Sequence, residues 1–225
     1  MKPPQKALLL IGSFKGLKST SYSIGAYLLH KLEKQGVITS KTRIHRSMKS
    51  QEKQQEFVEL IADTDLVILS CPLYIDSLPS PVIQFMELMA RIGKPSRSQT
   101  FMAIVNSGFP EPSQGKTAVE ILRHFAREVG FEWAGGFSIG GGGGIDGKSL
   151  EELPGFIKKT ITALNLAASS LVKGENVPKE AMTLLRKPMM PRWLYILGGD
   201  FGWKQKAKKN NVKGRLKDQP YARER

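Results

Sequence analysis

Three short apolar runs, at residues 7–11, 65–70 and 101–105, constrain this chain more than any other feature. Each is nearly unbroken rather than alternating, the pattern of a strand covered on both faces, as in a parallel sheet. Helical periods fill the gaps. Ile24, Tyr27, Leu28 and Leu32 follow the first run; Phe57, Leu60 and Ile61 precede the second; Val82, Phe85, Met86 and Met89 stand behind Pro81, a residue suited to a first helical turn. Residues 42–46 read as a weaker, partly polar edge strand. Residues 117–129 read as a fourth helix with Val119, Leu122, Phe125 and Val129 inward, 131–139 as a fifth strand and 150–171 as a long final helix. Five strand–helix units predict a doubly wound α/β sandwich: a parallel sheet with helices on both faces and a ligand at the strands' carboxyl ends, where strand order reverses.

At 225 residues the chain can bury one substantial core, and nothing before residue 173 reads as a linker. The expected division is a main domain over 1–172 and a basic, tryptophan-containing extension over 173–225. The extension holds 14 Lys and Arg against 5 Asp and Glu, so it carries +9 of the net +14. The basicity therefore bears on the tail's partner more than on the chemistry of the core. A single cysteine, Cys71, excludes an intrachain disulfide and a cysteine-held zinc or iron–sulfur centre, and suits a reducing, cytoplasmic setting. Only five apolar residues separate Lys6 from Gly12, too few for the apolar region of a signal peptide, and no run approaches a membrane span.

The stretch 7–23, ALLLIGSFKGLKSTSYS, reads as a strand, a loop and a helix N-terminus. Its hydroxyls at Ser13, Ser19, Thr20, Ser21 and Ser23, with amides freed by Gly12 and Gly16, form a dense donor set where a helix dipole presents its positive end. A triphosphate P-loop is the first candidate, and it fails in detail. The glycines are four apart rather than five, Leu17 stands where the second glycine should precede the lysine, and Asp65 lies at the start of its strand rather than at the end where magnesium would need it. A phosphate monoester such as that of FMN needs no metal. The loops after strands 3 and 4 converge on the same crevice. One offers Pro72, Leu73, Tyr74 and Ile75 as an apolar and aromatic wall, and the other Asn106, Ser107, Gly108 and Phe109 as an amide, a hydroxyl and a pliable backbone.

On these residues the chain resembles the flavodoxin-like NAD(P)H-dependent FMN reductases. Members begin with a strand followed by G-S-[PF]-[RK] and a Ser/Asn-Thr loop, and carry P-x-Y-x-x-x-x-P after the third strand. Here the matches are Gly12-Ser13-Phe14-Lys15, Ser19-Thr20 and Pro72-Leu73-Tyr74 through Pro79. Ser19 stands where many relatives have Asn, and Lys15 where many have Arg. The resemblance covers roughly 6–170. It implies a flavodoxin-like three-layer sandwich, with FMN phosphate on Ser13, Lys15 and Ser19 to Ser21 and the ring against Pro72 to Ile75 and Asn106 to Phe109. It also implies NAD(P)H as hydride donor, a small-molecule electron acceptor (quinone, nitro or azo compound, metal or flavin) and a homodimer or homotetramer. The cofactor would carry the hard step, so no catalytic acid–base pair is required. The alternative is an FMN-binding electron carrier or interaction module without NAD(P)H turnover.

Other residues read more plainly. His30 falls in the first helix, His45 in the edge strand and His124 in the fourth helix, none placed for catalysis. Cys71 reads as a small buried hydrophobe. The run of five glycines at 140–144 is either a flexible connection or a place where backbone approaches a ligand closely. The extension holds a short helical segment at 179–186 and the text PRWLYILGGDFGW before its basic end. Its aromatics could pack on the parent domain or across a dimer, or meet a membrane surface; nucleic acid is the least favoured partner, since no recognition motif accompanies the charge.

Overall fold

The computed structural model describes residues 1–153 and 155–219. Strands β1 (Lys6–Ile11), β2 (Ile38–Arg43), β3 (Leu66–Pro72), β4 (Thr100–Asn106) and β5 (Glu132–Ile139) form one parallel sheet in the order β2-β1-β3-β4-β5. Helices α1 (Thr20–Glu33), α2 (Ile44–Ser47), α3 (Gln51–Ala62), α4 (Ser80–Ile92), α5 (Lys116–Glu128), α6 (Lys158–Leu171), α7 (Lys179–Leu184) and α8 (Arg192–Lys209) complete the chain. Strand order reverses between β1 and β3. This is the flavodoxin-like sandwich, and the crevice at its carboxyl edge lies over that reversal.

The unbroken apolar runs have the cause expected of them. Along β1, Leu8 and Leu10 join Phe57 and Ile61 of α3, Val82 and Phe85 of α4, and Leu122 and Phe125 of α5 in one core. Ala7, Leu9 and Ile11 point the other way, joining Ile24 and Leu28 of α1 and Leu164 and Ala168 of α6 in a second. Each fully buried Leu or Ile contributes about 1.5–3 kcal/mol, so both faces of β1, β3 and β4 are strongly specified. Helix α1 lies very close on the sheet: a Cβ on Gly25 would stand 2.5 Å from Leu9 Cδ1.

Three expectations are corrected. The edge strand occupies Ile38–Arg43 rather than 42–46, and His45 sits in α2. An edge strand pairs on one side only and β2 is largely exposed, Ile38 included, so its side chains carry little periodic signal. The turn out of β2 is set by Ile44, which is buried in the α3–α4–α5 core. The final helix begins at Lys158, preceded by 3-10 turns at Leu150–Glu152 and Gly155–Ile157. Residues Arg192–Lys209, assigned no element from the sequence, form a helix despite Gly198, Gly199 and Gly202.

Residues Met1–Met189 form one compact unit and Met190–Arg225 a second. The stretch 173–189, which by composition reads with the extension, lies in the first, because Val177, Ala181 and Leu185 are buried in the α1–α6 core. Of the basic end, 220–225 lies outside the described residues. No helix among the described residues is long and apolar enough to cross a membrane.

Candidate active site

β1 ends at Ile11, and Gly12 continues against β3, its amide donating to Ser70 O at 2.9 Å. A Cβ on Gly12 would meet Cys71 Cβ and Val82 Cγ2 at 2.6 Å, so this glycine is required by packing. The loop then folds on itself. Gly16 takes a left-handed φ of +56°, and its amide donates to Ser13 O at 3.0 Å, while Lys15 N donates to Ser13 Oγ at 3.3 Å. Ser19 caps α1: its Oγ accepts from Tyr22 N at 3.1 Å and donates to Gly16 O at 2.6 Å. The amides of Thr20 and Ser21, orphaned at any helix start, have no acceptor among the described residues.

The other serine and threonine hydroxyls tie the loop to its neighbours. Thr20 Oγ1 donates to Gly142 O at 2.8 Å. Asn106 Nδ2, at the end of β4, donates to Ser21 Oγ at 2.8 Å and to Cys71 O at 2.9 Å. Ser70 Oγ donates to Ser21 O at 2.7 Å. Ser21, Ser70, Cys71 and Asn106 are buried and Thr20 is half-buried, so the ends of β3 and β4 and the first turn of α1 share one hydrogen-bonded network.

The loop after β3 is built differently. Tyr74 and Ser77 exchange backbone hydrogen bonds of 2.9 and 3.0 Å, and Ile75 and Asp76 turn the chain between them at φ +47° and +60°. A β-branched residue rarely accepts that conformation, which costs on the order of 1–3 kcal/mol. Ile75 is 98% exposed and Tyr74 43%, whereas Leu73 is buried beneath them and Pro72 half-buried. In the loop after β4, Ser107 is buried and its amide donates to Ile139 O, Phe109 is 55% exposed, and a Cβ on Gly108 would meet nothing within 4 Å. The glycine run is packed against this loop. Gly141 N donates to Phe109 O and Gly142 N to Ser107 O, and a Cβ on Gly140 would stand 2.4 Å from Pro110 O. Close backbone approach explains these glycines.

The structure thus brings Ser13, Ser19, Thr20, Ser21, Asn106 and Ser107 together, with exposed Lys15 on the same loop as Ser13. It adds residues that sequence reasoning missed. Arg43, at the end of β2, lies over the loop, its Cδ 3.0 Å from where a Gly16 Cβ would be. The His45 ring stands 5.8 Å from that of Phe14. Burial and then the charges of Arg43, Arg46 and Lys49 hold the His45 imidazole below its ordinary 6.5. The register of β2 was the signal: Arg43 pairs with Ile11, one residue before the loop. Cys71 is wholly buried and its thiol is pushed up to about 12, which removes it from nucleophilic or redox chemistry. A cavity of about 430 Å³ lies elsewhere, between Lys116 and Val119 of α5, Phe137 of β5, and Leu185 and Arg186. Among the described residues no cluster of His, Cys, Asp and Glu could hold a metal.

A family model described as NADPH-dependent FMN reductase matches residues 6–141, more than half of the chain. The chain belongs to this family. Its cofactor is FMN and its electron donor NAD(P)H, and it is an NAD(P)H-dependent oxidoreductase. Solved structures share the fold of this FMN reductase family member at low identity. An apo NADH:FMN oxidoreductase is 14% identical with a TM-score of 0.57, covering 84% of this chain and 97% of its own. The NAD(P)H:quinone oxidoreductase of Methanothermobacter marburgensis is 16% identical with a TM-score of 0.53, covering 74% and 98%. A flavodoxin of Streptococcus pneumonia TIGR4 is 16% identical with a TM-score of 0.51, covering 74% and 97%. No curated protein sequence matches the chain.

The residues present fit the family's cofactor. The unpartnered Thr20 and Ser21 amides, at a helix start beside Lys15 and Arg43, are what a phosphate monoester requires. The exposed Tyr74, Ile75 and Phe109, with open space over Gly108, are what a flat ring can cover.

Proposed function

We propose that the FMN reductase family member holds FMN with its phosphate on the loop of Ser13, Lys15 and Ser19 to Ser21, and its ring against Pro72 to Ile75 and Asn106 to Phe109. The acceptor is a flat organic oxidant of the quinone class. Bound FMN would supply the redox chemistry, accepting hydride from NAD(P)H and passing electrons to the acceptor. The protein binds and orients. The Thr20 and Ser21 amides and the positive end of α1 hold the phosphate; Arg43 adds charge. Asn106, already anchored to Ser21 and Cys71 O, presents its remaining carbonyl to the ring edge. Tyr74 and Ile75 exclude water from one flank and leave the other open for nicotinamide and acceptor in turn.

One observation carries this reading: an apolar rim of Tyr74, Ile75 and Phe109 stands exposed beside a polar, buried and internally bonded loop. Such a rim suits planar aromatic molecules better than hydrated metal chelates. The test is anaerobic. The full chain with FMN is mixed with NADH or NADPH, and bleaching of the flavin band is followed by its return on adding a benzoquinone, a ferric chelate or an azo dye. Return that is fastest with the quinone supports the acceptor class, and faster return with the chelate overturns it. A chain whose melting temperature and flavin fluorescence ignore excess FMN overturns the site.

A further inference from the structure

Helix α8 belongs to the second compact unit and carries a dense set of exposed apolar side chains. Trp193 is 64% exposed and Trp203 68%, with Leu194, Ile196, Leu197 and Phe201 between 44% and 64%. At about 100° per residue, Trp203, Ile196, Trp193, Leu197, Phe201 and Leu194 fall on one half of the helix. Gly198, Gly199, Gly202, Lys206 and Lys209 fall on the other, while Lys204 and Lys208, near the C-terminal end, fall within the apolar half. Asp200 is the helix's one carboxylate and stands within the apolar half. Around the C-terminal end are Lys204, Lys206, Lys208 and Lys209, followed by Lys213, Arg215 and Lys217. Lys206 Nζ lies 6.0 Å over the Trp203 ring, and Arg215 pairs with Asp218 at 2.8 Å.

An occupant of this surface must remove six large apolar side chains from water and also meet a concentrated positive charge. A nucleic acid satisfies the charge and leaves the tryptophans wet. A second copy of the helix covers the apolar half, but in parallel it sets one lysine cluster against another and in antiparallel it leaves both clusters without a counter-charge. An anionic bilayer surface satisfies both. Indole rings settle at headgroup level, Leu, Ile and Phe reach the acyl boundary, and lysine stems lie along apolar surface with their ammonium groups on lipid phosphates. The helix is too polar to span. Three glycines also leave it intrinsically weak in water, so burying its apolar half would strengthen the helix as it binds.

We propose that α8 docks this protein on an anionic lipid bilayer, with its apolar half in the interface and the basic cluster at 204–217 on the lipid phosphates. The experiment is flotation of the full, FMN-loaded chain with phosphatidylcholine vesicles, alone or mixed with phosphatidylglycerol. The expected result is binding at least about tenfold stronger to the mixed vesicles, weakened by salt, with a blue shift of tryptophan emission. Joint replacement Trp193→Ala and Trp203→Ala should lose about tenfold in vesicle affinity. Replacing Lys204, Lys206, Lys208 and Lys209 by Gln should bring the mixed vesicles down to the neutral ones. Neither set includes a residue proposed to bind FMN, so FMN affinity and melting temperature report intact folding. Wild-type protein that ignores both vesicle types overturns the proposal. So does a dimer that the two tryptophan replacements dissociate, or duplex DNA that outcompetes the vesicles.

Discussion

The loop after β1 and the loop after β3 face the same crevice and are built on opposite principles. In the first, Ser19, Thr20 and Ser21 already hold partners within the protein, and the groups left over are backbone amides. In the second, backbone strain at Ile75 and Asp76 holds Tyr74 and Ile75 out in solvent. The loop proposed for the phosphate is therefore organised before any ligand arrives, whereas the loop proposed for the ring is an exposed apolar surface. Hydroxyl-rich sequence does not mean free hydroxyls. Ser19, the most inviting of the cluster, is spent on capping α1.

This contrast can be broken from either side. The largest effect is expected from Asn106→Leu, which keeps the branched outline and strands Ser21 Oγ and Cys71 O in the core. The loss is about 3 kcal/mol of stability, measured as a lower urea midpoint at unchanged slope; a variant as stable as the parent would show that the network is not holding the loop. Next, Thr20→Asp sets a negative charge at the helix start and should weaken FMN about 100-fold by fluorescence titration. Unchanged affinity would move the phosphate elsewhere. Tyr74→Ala tests the other loop: about tenfold weaker FMN, with the melting temperature of the FMN-free protein unmoved. Ile75→Gly relieves the left-handed strain and should raise stability by about 1 kcal/mol, a gain that a merely unstrained turn would not give.

The smallest effect concerns His45. Burial, then Arg43, Arg46 and Lys49, keep its folded pKa below 6.5, so the unfolded chain takes up a proton first. The stability it contributes is complete above pH 6.5 and declines as pH falls through that value towards the folded pKa. His45→Gln should flatten stability in that window. Bound phosphate near Arg43 would offset the cations and raise the His45 pKa, and a proton NMR titration unchanged by FMN would place the phosphate away from this wall.

The sheet was legible because burial on both faces leaves unbroken apolar runs, as in Leu8 to Ile11, Val67 to Leu69 and Met102 to Val105. The edge was not: β2 has one partner and exposed side chains, so its position drifted by several residues and Arg43 went unnoticed. Turn chemistry was misleading at 75 and 76, where neither residue is the glycine or asparagine that positive φ usually recruits. Helix α8 was hidden by its three glycines and by Asp200, Lys204 and Lys208, which interrupt its apolar half. At 140–144 composition left flexibility and close approach equally open, and only the neighbouring carbonyls of Ser107, Phe109 and Pro110 decide between them.

The junction of Ser21, Asn106, Ser70 and Cys71 has a consequence for time as well as for shape. It clasps the first turn of α1 to the ends of two central strands, so this part of the crevice has no soft element of its own through which to open. The strand amides of Ser70, Cys71 and Asn106 should exchange with deuterium as slowly as those in the middle of β3, while the unbonded Thr20 and Ser21 amides and the turn at 74–77 exchange early. In such a protein the junction beneath the proposed anion loop lasts as long as the fold itself, and the movement that admits a ligand is left to the rim.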